Sequence, residues 1–316
     1  MKKKILYGFI IGVGILFSLR MGMALGAYIR GDTGHLAPLG RRVYIPESKT
    51  PGPERQSTIE FILNENNSQM LKAYDTIEDQ RWADLADNEY SADYVKNYSY
   101  KNATVMLSYK KEASSFTGRL EAKGLKPNFV YQIKLMGDYK KDERAFEIIG
   151  NLGRWRLPGK ATNFNDKDYY LYPEKQKHLI RSYILFDYLL TDKNGNAARD
   201  FSLDSTLHVL WLYNQNTTKL KSDCHPVTID ASDSSIYAEP VNVTINEEIW
   251  CERERRRYKT ADFIPWFPNG NYQARLMLTE ESWHSKGDIG GWWSSVMELP
   301  VEFTIANSKW MKEKDD

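Results

Sequence analysis

Beyond residue 100 the apolar residues fall at every second position, and that period constrains the chain more than any other feature. Val105, Leu107 and Tyr109 alternate with Met106, Ser108 and Lys110, while Phe116, Leu120 and Ala122 alternate with Thr117, Arg119, Glu121 and Lys123. Successive side chains of an extended strand point to opposite sides, so the pattern suits a sheet with one dry and one wet face. The alternation returns at Leu207, Val209, Trp211 and Tyr213, at Val241, Val243 and Ile245, at Ala274, Leu276 and Leu278, and at Val301, Phe303 and Ile305. Ser182–Leu190 is a continuous apolar run, closed by Asn194-Gly195, a pair that tolerates the positive φ of a tight turn. The reading is all-β.

Two turns carry more detail. Gly124-Leu-Lys-Pro-Asn-Phe-Val-Tyr131 and Pro268-Asn-Gly-Asn-Tyr272 each launch a strand. Through Leu125, Pro127 and Tyr131 the chain resembles the fibronectin type III and immunoglobulin-like β-sandwich families. The match covers about a dozen residues and implies an architecture without a particular function. It implies tyrosine corners at Tyr131 and Tyr272, each hydroxyl bonding back to upstream backbone. The expected organisation is two such sandwich domains, at 101–175 and 176–306, or alternatively one large sandwich with an insertion. Phe146–Leu157 is the candidate closing strand of the first domain, and Asn163–Tyr172 reads as a loop. Residues 27–100, punctuated by Pro38, Pro46, Pro51 and Pro53, read as a polar linker or arm with a short helix within Thr76–Tyr98. Residues 307–316 form a charged tail.

The N-terminus points to export. Lys2, Lys3 and Lys4 precede an apolar run from Ile5 to Leu19, followed by the small residues Ala24, Gly26 and Ala27. That is the layout of a secretory signal over residues 1–26. An uncleaved anchor is the alternative, with Arg20 inside the span at a cost of a few kcal/mol. Either way the bulk of the chain is expected outside the cytoplasm: periplasmic, secreted or tethered to the cell envelope. Membrane contact is expected only through an uncleaved first segment. The net charge of +1 gives no general attraction to nucleic acid. In an oxidising compartment the two cysteines, Cys224 and Cys251, are expected to pair, closing a loop worth about 3–4 kcal/mol.

Chemistry-bearing patterns are sparse. Glycine-rich nucleotide loops and His-Glu-x-x-His are absent, and the five histidines are scattered, so neither cofactor nor metal is expected. Asp192-Lys-Asn-Gly-Asn196 places its glycine too early for a calcium loop and reads as a hairpin turn. The candidate site is the segment from Thr279 to Trp293, between the last two strands, where Trp283, His284, Trp292 and Trp293 cluster near Gly287, Gly290 and Gly291. Exposed tryptophans offer flat apolar faces for sugars or partner chains; caps on the core are the plainer reading. The expected function is binding of a glycan or protein ligand. The alternatives are an extracellular polymer hydrolase using acids such as Glu280 or Asp288, and a structural subunit of an envelope or surface assembly. Whether the chain is an enzyme stays open, since no catalytic set is recognisable.

Overall fold

Where they fall within the described residues, the alternating stretches become strands because each can bury one row of side chains against a facing sheet; Tyr213 and Val243 lie outside those residues. The computed structural model describes residues 68–158, 164–203, 206–211, 224–231, 234–241, 245–253, 267–281 and 293–308, all within one compact unit, Arg42–Asp316. The chain begins with two short strands, β1 (Gln69–Met70) and β2 (Lys72–Ala73), followed by helix α1 (Ala92–Asn97). Next come β3 (Thr104–Tyr109), β4 (Glu112–Ala113), β5 (Thr117–Lys123) and β6 (Val130–Gly137). Helix α2 (Glu143–Leu152), β7 (Arg154–Arg156) and helix α3 (Asp166–Leu171) lead to β8 (Arg181–Leu190) and β9 (Ala197–Ser202). The last group is β10 (Leu207–Trp211), β11 (Cys224–Ile229), β12 (Ile245–Arg253), β13 (Gly270–Glu281) and β14 (Trp293–Ile305).

Three sheets result. One runs β1-β3-β5-β9, a small one β10-β12-β11, and the largest β2-β14-β13-β6-β8-β7, with β4 joining β14 in parallel. Every other pairing is antiparallel. Strands from both sides of residue 175 share the large sheet, because β6 is hydrogen-bonded to β8 on one side and β13 on the other.

The main core lies between the first and the largest sheets. Val105, Leu107, Leu120 and Ala122 of the one and Ile133, Leu135, Leu276 and Leu278 of the other belong to one buried cluster. Rings interlock across it, with Phe186 of β8 5.4 Å from Phe201 of β9 and Phe116 stacked 4.5 Å from Phe303 of β14. The described part is mainly β, compatible with a β-sandwich. Each buried Leu or Phe here contributes about 1.5–3 kcal/mol. Phe201→Ala, which empties the centre of the interface, would cost about 3–5 kcal/mol.

Three local expectations are corrected. Phe146–Leu157 is not a single strand: α2 takes its first part, because Asp142 caps the Ala145 N–H at 2.9 Å and Ala145, Phe146, Ile149 and Leu152 fall on one helical face. That helix lies directly on β6, where a Cβ on Gly137 would come within 2.6 Å of the Phe146 Cα. Within 163–172 the loop gives way to α3, started by a reciprocal capping box between Asn165 and Asp168. The helix anticipated over Thr76–Tyr98 is confined to Ala92–Asn97, with Ser91 as its cap. The turn at Asn194-Gly195 is present, with Gly195 at φ +74 and its N–H on the Asp192 carbonyl. There the Leu125 carbonyl would lie 2.0 Å from any Cβ, so only glycine fits.

Two features bear on export. Among the described residues no helix is long and apolar enough to cross a membrane, and segment 1–26 lies outside them. The register between β11 and β12 sets Cys224 opposite Trp250, one residue out of step with Cys251. The side chains of Cys224 and Cys251, and with them the expected bridge, lie outside what is described.

Candidate functional site

The hairpin β13–β14 ends at the rung where Glu281 faces Trp293. Trp283, His284 and Trp292 lie outside the described residues, as does Asp288; of Trp293 only the backbone, at the head of β14, is described. What the structure does describe is the last rungs of β13 and β14, and they are built around a charge.

Glu280 is the penultimate residue of β13, paired with Tyr131 of β6 on one side and Ser294 of β14 on the other. It continues the inward row Ala274, Leu276, Leu278, so its carboxylate enters the core and is wholly buried. Lys126 reaches it from the turn before β6. Its Nζ is 2.6 Å from Glu280 Oε1, and both side chains have 0% exposure. The lysine backbone is held at both ends, since its N–H donates to the Tyr131 hydroxyl at 3.0 Å and its carbonyl accepts from Thr191 Oγ1 at 2.6 Å. A side chain launched from a clamped backbone has little freedom to leave.

Isolated charges this deep would cost several kcal/mol each, so every acceptor must be met. Glu280 Oε2 accepts the Arg81 backbone N–H at 2.7 Å, and Oε1 accepts the Tyr100 hydroxyl as well as Lys126. Lys126 Nζ also donates to the Arg81 carbonyl at 2.5 Å. Tyr100 and Tyr131 hydroxyls are 2.9 Å apart. Because Tyr100 gives its proton to Glu280, Tyr131 is the donor between them. The bonds therefore close a ring: Lys126 N–H to Tyr131, Tyr131 to Tyr100, Tyr100 to Glu280, and Lys126 Nζ back to Glu280. In a low-dielectric interior such a circuit reinforces each of its members.

Aromatic faces complete the enclosure. Lys126 Nζ sits 4.1 Å from the Trp82 ring centroid and 5.2 Å from that of Phe129. Burial pushes the Lys126 pKa down, opposed by the Glu280 charge. Burial pushes Tyr100 and Tyr131 well above the usual phenol range, with the Glu280 charge adding to it. Both carboxylate oxygens are engaged inside the protein, and neither Glu280 nor Lys126 has exposed side-chain surface.

The second tyrosine turn is built differently. The Tyr272 hydroxyl donates to the Pro268 carbonyl at 2.5 Å, and its ring stacks on Phe303 at 5.3 Å. Arg144 of α2 lies 5.0 Å from the ring while itself exposed.

Lys126, Arg81, Trp82 and Tyr100 were not singled out by their sequence. Glu280 carried one signal, an acid at an inward position of an alternating strand. Comparison of the chain with protein-family models, curated proteins and solved structures returned no match.

Proposed function

We propose that the chain is an exported β-sandwich protein that acts by binding a glycan or protein ligand through the loop of residues 282–292. The fibronectin III or immunoglobulin-like ancestry of the sandwich is part of the same proposal. The observation that carries it is the pinned base of the β13–β14 hairpin. Glu280 is locked by Lys126, Tyr100 and the Arg81 backbone, and Ser294 opposite it donates its hydroxyl to the Glu78 carbonyl. A loop on an immobile base loses less conformational freedom when it engages a ligand, which favours binding. The tryptophans of that loop supply rigid apolar faces at small entropic cost. Export rests on the lysines and apolar run of residues 1–26.

The test is a glycan array and a pull-down from the cell envelope, run with the full chain and with Trp292→Ala and Trp293→Ala. Retention should fall at least tenfold while the circular dichroism spectrum and melting temperature are unchanged. Unaltered retention, or loss of fold in both variants, would overturn the loop as the binding site.

A further inference from the structure

We propose that Lys126 and Glu280 condense to a side-chain amide, so that the mature chain carries a covalent cross-link between the turn before β6 and the end of β13. This does not depend on the ligand reading. Two reacting groups on different segments are held in contact at 2.6 Å, at 0% exposure, with every hydrogen-bonding atom of the carboxylate engaged. Effective molarities of oriented groups reach roughly 10⁵–10⁸ M, so a reaction negligible between free side chains becomes accessible here.

The surroundings supply what the step needs. In water an ammonium has no lone pair to offer and a carboxylate is a poor electrophile. In this cage burial lowers the Lys126 pKa and so favours its amine, and the reacting pair is reached by passage of one proton from Nζ across the 2.6 Å contact to the carboxylate. The Nζ lone pair then attacks Cδ. Negative charge developing on Oε2 is met by the Arg81 backbone N–H, in the manner of an oxyanion hole with a single donor. Oε1, already hydrogen-bonded by Tyr100, departs as water with two protons that originate on the lysine ammonium. A C–N bond replaces a C–O bond, no electron is gained or lost, and water is the sole by-product. Trp82, Phe129, Tyr100 and Tyr131 wall the site, which shields the amide from bulk solvent once the released water has left. Exposed pairs such as Lys101–Asp75 contact each other at 3.0 Å but stay in water, where the ionic form is stable.

Peptide mapping of the full-length protein decides the matter. Trypsin should release residues 124–134 and 276–286 as one branched species, lighter than the sum of the two peptides by one water. Fragmentation should place the bond on Lys126 and Glu280, at close to one per chain. Lys126→Arg, which keeps the charge and cannot form this amide, should return the two peptides separately and serves as the control. Recovery of two separate, unmodified peptides from the unsubstituted protein means the pair remains ionic and overturns the proposal.

Discussion

The two ends of β13 solve the same problem with opposite electrostatics. At its start, Tyr272 returns its hydroxyl to the backbone at Pro268, and the neighbouring cation, Arg144, stays in water above the ring. At its end, the facing tyrosine, Tyr131, takes a backbone N–H from Lys126, and that lysine's ammonium is drawn inside with Glu280. The first arrangement asks little of its charge, because an exposed cation near a ring contributes about 0.5–1 kcal/mol. The second stakes the local fold on a pair that is tolerable only when both members are present. Similar turns therefore differ in how much they can lose.

The sharpest break in that comparison is Glu280→Leu, which strands a buried ammonium. It should cost about 3–5 kcal/mol in urea unfolding, and Lys126→Met combined with Glu280→Leu should recover most of the loss. Were the double variant as unstable as the single one, shape rather than charge would govern this end.

Next in size is the response to alkali. The phenols of Tyr100 and Tyr131 are raised in the folded state by burial, above an unfolded value of 10.0. Below pH 10 both states hold these protons and stability is full. Above it only the unfolded chain sheds them, so each such tyrosine removes about 1.4 kcal/mol per pH unit. Where Lys126 is still an ammonium it runs the other way, since its lowered pKa adds stability with rising pH, but only up to its unfolded value of 10.5; the condensed amide makes no such contribution. Tyr272 is raised as well, to about 12, so its end should weaken over a narrower window. Phenolate absorbance followed during alkaline unfolding would separate the two ends.

The mildest contrast is a pair of hydroxyl deletions. Tyr131→Phe leaves the buried Lys126 N–H without its acceptor and opens the ring, for about 1–3 kcal/mol. Tyr272→Phe removes one bond from a partly solvated carbonyl and should cost about 0.5–1.5 kcal/mol. Equal melting temperatures for the two variants would erase the distinction drawn between the ends.

How far all this was legible depends on what period two can encode. Parity placed Val105, Leu107, Leu120, Leu276, Leu278, Val301 and Phe303 inward, and all of them are buried. The same parity put Glu280 inside, an anomaly for an acid and the one readable sign of the buried site. Its partner could not be read, because Lys126 belongs to a turn, where lysine is ordinary, and the contact joins positions far apart in sequence. Nor could Arg81 be found, since it contributes backbone atoms that any residue has. The short strands β1, β2 and β4 escaped as well, being too brief to show any period. The helices α2 and α3 were misjudged because a few apolar residues between turns fit either period, and the caps at Asp142 and Asn165 decide them.

Strand β6 is buried at all eight positions and gains its two neighbours from chain that is made later. Until β13 emerges, one side of β6 offers an open row of amides and carbonyls on a strand whose every side chain is destined for burial. A polypeptide leaving the ribosome must shelter that stretch until residues 270–281 have emerged. Chaperone demand during biogenesis is thus set by the wait for a single late hairpin, and truncations that remove it should precipitate rather than fold in part.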